Sequence, residues 1–355
     1  MLRPSEFLIV STLLCTTVGC NLSTGPGPGG VGGLIEVHGV DPDWGGVEGG
    51  SAVTIAGEGF ALENIEELRV LFGKEAADEV RVLDDLTIQC LSPAGSVGLV
   101  AVTVQTNLGS DSITDSFRYE QPTLFAADGK AGQAGGLYRI NTEDATAELI
   151  ADLDYAITGL AMAPDGLLYA TQSTRVGILG TSQLLSIDRL TGATGVIGPL
   201  IDAGDGVTEH PAIPDITFVE ERLIGWTQNS DKPVEIDITT GMVTVIGGGL
   251  SAYGSGMATN AEGIVYLAPQ GHDGLLFTVD PTTGEASSAV DMFGGVNSAI
   301  AALTFSDGVL YGVDNNNTGD ADSANNLLSI NVETGEVRDV GGLPGGVDSI
   351  AGNLP

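Results

Sequence analysis

The amino-acid sequence predicts an all-β protein with two domains. The chain has 355 residues, of which 53 are glycine and only 17% are charged. Short apolar segments alternate with polar ones, as in half-buried strands, and glycine supplies the positive φ that tight turns need. In the C-terminal two thirds of the chain these segments recur at a nearly constant spacing. A chain of this length can bury two separate cores.

The overall charge excludes one class of function. The chain has 47 acidic against 12 basic residues, which gives a formal net charge of -35. Such a surface repels phosphate groups and attracts cations or basic partners. We therefore expect no nucleic-acid partner.

Residues 1–19 have the form of an export signal. Arg3 precedes an apolar run, Phe7–Leu14, that is too short to span a membrane. The stretch "TVGC" that ends at Cys20 resembles a bacterial lipobox. This resemblance implies that Cys20 is lipidated and becomes the mature N-terminus. An ordinary cleaved signal with an incidental cysteine is the alternative.

Residues 20–33 form a Gly/Pro-rich tether, which suits a domain anchored in a membrane by an N-terminal lipid. Because Asn21 rather than Asp follows Cys20, we expect the bacterial outer membrane or cell surface within the cell envelope. Cys15 would leave with the signal, so Cys90 would be the one free thiol of the mature chain. Its strand-like surroundings predict a small core residue.

Residues 34–120 read as a β-sandwich, with strand-like segments separated by Gly and Asp/Asn turns. Four stretches resemble successive signatures of an IPT/TIG domain, which has an immunoglobulin-like fold: "VDPDWGGVEGGSAVTIAGEGF", "VLFGKEAA", "CLSPAGSVGLVAVTVQTNLG" and "FRYE". The resemblance implies a spacer or interaction module without chemistry of its own.

Residues 121–355 contain five copies of one sequence repeat. Each copy has an Asp or Asn anchor at the end of a strand, and successive anchors are 47, 49, 43 and 51 residues apart: Asn141, Asp188, Asp237, Asp280 and Asn331. This spacing is typical of four-stranded propeller blades. Four anchors continue as two residues and Thr-Gly, which indicates a tight hairpin. The first copy has Ala145 in place of this Gly, which predicts a different turn.

Two further motifs complete each repeat. Buried second strands are predicted at "LFAAD", "LLYAT", "LIGWT", "IVYLA" and "VLYGV", and first strands at "GLAMA", "DITFV", "GMATN" and "ALTFS". The fifth first strand is the C-terminal "VDSIAGNLP", which we expect to pair with "PTLFAAD". The prediction is a five-bladed β-propeller closed by the C-terminal strand. Its repeats resemble quinoprotein-like and NHL-like propeller repeats.

The connections differ between the two ends of the predicted blades. Turns between strands 1 and 2 and between strands 3 and 4 are short and alike, and we call their end the Thr-Gly face. Connections between strands 2 and 3 and between blades differ in length, and we call their end the variable face. Variation on a shared scaffold favours the variable face as the binding surface, with His210, Trp226 and His272 as candidates. We expect a lipid-anchored binding or scaffold protein that recognises a glycan or a protein.

A carbohydrate-active hydrolase or lyase that uses loop carboxylates is the alternative. No nucleophile, histidine and acid occur in a triad pattern. The small positions of the five first strands include a single acid, which argues against a pair of carboxylates at the axis: Gly159, Asp215, Gly256, Ala302 and Ser349.

One acidic loop is a candidate calcium site. The stretch "DNNNTGDADSANN" begins at Asp314 and is dense in side-chain oxygens, which Ca²⁺ prefers as ligands. Asp314, Asp320 and Asp322 are the candidate ligands, and Ca²⁺ is the candidate cofactor. A solvated loop without a metal is the alternative.

Overall fold

The computed structural model describes residues 35–352, except 122, 130–133, 173–181, 203, 205–210, 229, 249, 251–252, 271–273, 295–299 and 315–324. All regular elements in these residues are β-strands. No helix in them is long and apolar enough to cross a membrane.

The N-terminal domain is a sandwich of two sheets. Its strands are β1 (Glu36–Asp41), β2 (Trp44–Gly46), β3 (Ala52–Glu58), β4 (Leu68–Phe72), β5 (Glu75–Ala76), β6 (Asp78–Val82), β7 (Thr87–Leu91), β8 (Gly98–Thr106) and β9 (Gly109–Glu120). One sheet has the order β1-β3-β7-β6, and the other has the order β2-β9-β8-β4-β5. Alternate residues such as Val53 and Ile55 of β3 point into the core between the sheets, and Cys90 is buried there as expected.

The second domain, which we call the repeat domain, contains the remaining strands. They are β10 (Thr123–Asp128), β11 (Gly136–Asn141), β12 (Ala147–Asp152), β13 (Ile157–Met162), β14 (Leu168–Gln172), β15 (Gln183–Ile187), β16 (Thr194–Pro199), β17 (Ile201–Asp202), β18 (Ile216–Val219), β19 (Arg222–Trp226), β20 (Pro233–Ile236), β21 (Met242–Val245), β22 (Tyr253–Thr259), β23 (Val265–Gln270), β24 (Leu275–Val279), β25 (Ala286–Asp291), β26 (Ile300–Ser306), β27 (Val309–Asp314), β28 (Asn326–Ile330), β29 (Val337–Gly342) and β30 (Val347–Gly352).

These strands form five sheets, numbered here in chain order. Their orders are β12-β11-β10-β30, β13-β14-β15-β16, β17-β21-β20-β19-β18, β22-β23-β24-β25 and β26-β27-β28-β29. The C-terminal strand pairs with β10 as expected, with Leu124 opposite Gly352 and Ala126 opposite Ile350. The first sheet therefore joins residues that are more than 200 positions apart in the sequence.

The first strands of the five sheets contact one another in a cycle. β30 lies against β13, β13 against β18, β18 against β22, β22 against β26, and β26 against β30. Small residues on these strands permit the close approach. A Cβ added at Gly159 would lie 3.0 Å from the Cα of Asp215, and one added at Gly256 would lie 2.9 Å from the carbonyl carbon of Ala302. The small residues noted in the sequence thus serve packing.

The five anchor turns have the same backbone geometry. In each turn the fourth residue after the anchor donates its N–H to the anchor carbonyl: Ala145 to Asn141 at 3.0 Å, and Gly192 to Asp188, Gly241 to Asp237, Gly284 to Asp280 and Gly335 to Asn331 at 2.8 Å. The anchor side chain also accepts nearby backbone N–H groups, as Asp280 does from Thr282 at 2.7 Å and from Thr283 at 3.0 Å. The anchors are turn formers, as predicted.

The expectation of a different first turn is wrong. Ala145 has a φ of +58°, close to the +79° of Gly335, and makes the same hydrogen bond. The neighbouring strand leaves room for its methyl group, because the position that faces Ala145 is Gly341. A side chain there would be crowded, since a Cβ added at Gly341 would lie 3.1 Å from that of Ala145.

The two domains share a packed contact. The Trp44 side chain is only 5% exposed and joins an apolar cluster with repeat-domain residues that include Met162, Leu168 and Ile187. The guanidinium of Arg189 lies 4.5 Å from the Trp44 ring centroid, and its Nη1 lies 2.7 Å from Oε2 of Glu120. A Cβ at Gly166 would come within 2.6 Å of Trp44 Nε1. Because Gly166 and Arg189 belong to turns of the Thr-Gly face, the sandwich packs on that face.

Candidate functional site

The structure describes two of the seven predicted site residues. Cys20, His210, His272, Asp320 and Asp322 lie outside the described residues, so their roles stay predictions. Asp314 and Trp226 are described.

Trp226 does not contribute to an exposed surface. Its side chain is 0% exposed and packs in a core cluster with residues of the third and fourth sheets, among them Ile224, Met257 and Leu267. The expectation that this indole faces a ligand is wrong, because the strand turns it into the apolar space between two sheets. Its large area stabilises packing there.

Asp314 ends β27 and has a structural partner. Its Oδ1 accepts the N–H of Asn326, at the start of β28, at 2.6 Å. The carboxylate therefore joins the two ends of the connection that holds the predicted calcium ligands. One of its oxygens is occupied by this hydrogen bond.

Asp128 is the equivalent of Asp314 in the first sheet. The ladders fix this alignment, because Leu124 lies opposite Ile140 and Leu310 lies opposite Ile330 at the same distance from the anchors. Asp128 Oδ2 is 3.3 Å from the N–H donor of Gly136, at the start of β11, and 3.3 Å from the hydroxyl of Tyr138. The two aspartates thus brace the same connection in two sheets.

The second oxygen of Asp128, Oδ1, differs from Oδ2 because it makes no hydrogen bond with a described residue. This oxygen is also buried. Burial raises the pKa of Asp128, while hydrogen bonds from Gly136 and Tyr138 oppose the rise. Nearby, the side chain of Asn325 is 1% exposed and donates from Nδ2 to the carbonyl of Val347 at 2.8 Å. Its Oδ1 is also buried without a partner in the described part of the chain.

Asp215 lies at the centre of the cycle of first strands. It is 0% exposed, and its Oδ2 accepts the N–H groups of Met257 at 2.7 Å and Leu303 at 3.0 Å. Its Oδ1 accepts the N–H of Ile216 at 3.0 Å. Burial raises its pKa well above the ordinary value, and the charge of Asp348 adds to the rise. The carboxylate joins the third, fourth and fifth sheets.

The space at the centre of the cycle of first strands is nearly filled by side chains on the Thr-Gly side of Asp215. Towards the Thr-Gly face the cavity among the first strands is only about 20 Å³. Hydroxyl groups bond across it, with Thr217 Oγ1 donating to Thr259 Oγ1 at 3.0 Å and Gly352 N donating to Thr304 Oγ1 at 2.7 Å. This volume holds about one water molecule and no substrate. Asp215 is therefore a structural acid.

A larger cleft of about 860 Å³ lies on the Thr-Gly face, between the sandwich and the first and fifth sheets. Five acids line it: Glu48, Glu143, Asp144, Glu148 and Asp307. Among the described residues that line it, the one basic residue is Arg139, which is paired with Glu148 at 3.5 Å. The cleft is a region of negative potential that would attract cations.

No three His, Cys, Asp or Glu side chains in the described residues are arranged to hold a metal. Asp128 and Asn325 were missed by the sequence analysis. The sequence held a usable signal for Asp128, because an Asp ends the second strand of the first sheet and also the second strand of the fifth sheet. Asn325 gave none, because its contact with Val347 depends on how the fifth sheet meets the first.

Comparisons with known proteins assign the N-terminal domain. Residues 36–120 match the model of the IPT/TIG domain family, which confirms the resemblance. No curated protein matches the chain.

Three solved structures share a distant likeness with the chain. A protein of unknown function from Bacteroides thetaiotaomicron is 12% identical over 78% of this chain and 94% of its own, with a TM-score of 0.33. A chain of a nidogen/laminin complex is 12% identical over 66% and 98%, with a TM-score of 0.42. An auxiliary nutrient binding protein from Bacteroides ovatus is 16% identical over 87% and 70%, with a TM-score of 0.34. All three scores are below 0.5 and carry no functional argument.

Proposed function

We propose that the protein is a lipid-anchored binding or scaffold protein of the bacterial cell envelope. Its repeat domain is a five-bladed β-propeller, and its variable face recognises a glycan or a protein. The five sheets, their orders and the cycle of first-strand contacts support the propeller.

One observation carries the choice of face. The sandwich domain packs on the Thr-Gly face through Trp44 and Arg189. The tether at residues 20–33 precedes this domain, so the anchor would approach from the Thr-Gly side. The variable face would then point away from the membrane, with connections free to contact a ligand.

The anchor has a direct test. Cys20→Ala should move the protein from the membrane fraction to the soluble fraction and abolish incorporation of a labelled fatty acid. Cys90→Ala is the matched control and should leave both unchanged. A parent protein that takes up no label would contradict the lipid anchor.

The binding face is tested with a printed glycan array. The probe is the chain without residues 1–20, compared with a variant in which Gly/Ser of equal length replaces residues 315–324. We expect the replacement to reduce binding at least tenfold, whereas Glu143→Gln in the Thr-Gly cleft should not. Loss of binding in Glu143→Gln alone would place the ligand on the other face, and no binding to any glycan would exclude a glycan ligand.

A further inference from the structure

The first and fifth sheets meet beside Val347, at the variable end of β30. Val347 is paired with Asp128 of β10, and its carbonyl accepts Nδ2 of Asn325 at 2.8 Å. We call the group formed by Asp128, Val347 and Asn325 the seam. It joins the strand that begins the repeat domain, the C-terminal strand and the start of β28.

Two buried oxygens at the seam have no hydrogen-bond partner among the described residues: Oδ1 of Asp128 and Oδ1 of Asn325. Asp128 Oδ1 lies beside the chain just before Val347, since a Cβ at Gly346 would be 3.8 Å from it. The Nδ2 hydrogen bond fixes the Asn325 amide, so its orientation is not free. Both unpartnered oxygens therefore lie close to Val347: that of Asp128 is beside Gly346, and that of Asn325 belongs to the amide that binds the Val347 carbonyl.

Such oxygens are costly unless something satisfies them. A buried acceptor without a partner loses the hydrogen bonds that water gave it. An ionised carboxylate oxygen and an amide oxygen can only accept, so neither can satisfy the other. Among the described residues no donor reaches either oxygen, so water or a cation is needed to satisfy each of them there.

The charge at the seam favours a cation as that species. None of the ion pairs among the described residues involves Asp128. The nearest basic residue in the sequence, Lys130, follows Asp128 by two positions and lies outside the described residues. Carboxylate and amide oxygens are hard ligands, and Ca²⁺ accepts irregular sets of them together with water.

We propose that the seam binds Ca²⁺ through Oδ1 of Asp128 and Oδ1 of Asn325, with water completing the coordination. The ion neutralises the half-buried carboxylate of Asp128 and links the first sheet to the fifth. It stabilises the junction at which the C-terminal strand closes the repeat domain. Its two proposed ligands differ from the predicted loop ligands Asp320 and Asp322.

The test is a titration of CaCl₂ into the chelator-treated chain without residues 1–20, by calorimetry and thermal unfolding. We expect saturable heat and a rise in Tm of about 5 °C at millimolar Ca²⁺, since a ligand that binds only the native state stabilises it. Asp128→Asn should abolish both effects. Asp307→Asn, an acid on the opposite face, and the double variant Asp320→Asn, Asp322→Asn should retain them.

A second measurement does not depend on the fold of Asp128→Asn. The Tyr138 hydroxyl lies 3.3 Å from Asp128 Oδ2, so this tyrosine should sensitise the luminescence of Tb³⁺ bound at the seam. Tyr138→Phe should lose most of the sensitised emission while calcium binding by calorimetry remains.

Two results would overturn the site. Absence of heat, Tm shift and Tb³⁺ emission means that ordered water satisfies the two oxygens. Calcium binding that survives Asp128→Asn but is lost in the Asp320→Asn, Asp322→Asn variant assigns the ion to the loop instead. Neither result bears on the lipid anchor or on glycan recognition, which are tested separately.

Discussion

At the scale of single residues, Asp215 illustrates how a functional-looking acid can be structural. An acid on the axis of a ring of sheets suggests catalysis, yet both of its oxygens accept backbone N–H groups. Two of those groups, on Met257 and Leu303, belong to other sheets. The cost of desolvating the carboxylate is offset by its hydrogen bonds with three backbone N–H groups, which would otherwise lack acceptors at this position.

Asp215→Ala should destabilise the repeat domain. It leaves three buried N–H groups without acceptors, each of which costs about 1–3 kcal/mol. Removal of the buried acid also removes the cost of desolvating it, which offsets part of this loss. We expect a net loss of about 2–4 kcal/mol in the free energy of unfolding, measured with urea. Asp215→Asn should also destabilise, because its NH₂ group would face an N–H donor. Equal stability of Asp215→Ala and the parent would contradict a structural role.

At the scale of elements, the anchor turns were largely predictable. The Asp or Asn anchor and the Thr-Gly pair specify a local hydrogen-bonded turn, and local chemistry is visible in the sequence. The turn at Ala145 was mispredicted because the space for its methyl group depends on Gly341, which is almost 200 residues away in the sequence. The seam was missed for the same reason: Asp128, Asn325 and Val347 meet only when the first sheet is completed by the last strand. The sequence predicted the pairing of the strands that contain Asp128 and Val347, but the contact of Asn325 with Val347 depends on how the fifth sheet meets the first, which the sequence does not show.

A pair of substitutions tests this account of the turns. Gly335→Ala should lose about 2–4 kcal/mol of unfolding free energy, because φ is +79° and the methyl group would collide with the Asp291 carbonyl oxygen. Ala145→Gly should change it by less than about 1 kcal/mol, since relief of the positive φ offsets the added flexibility of the unfolded chain. Chemical unfolding of both variants checks the contrast. Equal effects would show that the neighbouring strand does not decide which residue fits.

At the scale of the whole molecule, the contact through Trp44 should make the two domains unfold together. Trp44→Ala removes a side chain that is only 5% exposed and leaves Arg189 without its aromatic partner. We expect one calorimetric transition in the parent and two in this variant, at a cost of about 3–5 kcal/mol to the linked structure. Val97→Ala, on an exposed side chain of the sandwich, is the control and should preserve the single transition. A single transition in Trp44→Ala would mean that the contact does not couple the domains.

The cycle of first strands makes a stronger prediction about the C-terminal end. β30 pairs with β10 and contacts both β13 and β26, so it belongs to the first sheet and to two junctions between sheets. Deletion of residues 347–355 would expose the ladder edge of β10 and remove the Val347 carbonyl from Asn325. We expect the repeat domain to lose its cooperative unfolding transition.

The sandwich domain has its own core of residues such as Ile55, Val102 and Phe117, so it should keep a cooperative transition in the deleted chain. Deletion of residues 353–355 alone is the matched control, because it leaves β30 intact. Calorimetry and amide hydrogen exchange would locate the loss. If the shortened repeat domain melted like the parent, β30 would be a dispensable strand on a structure held by the other four sheets, and the proposed closed propeller would be refuted.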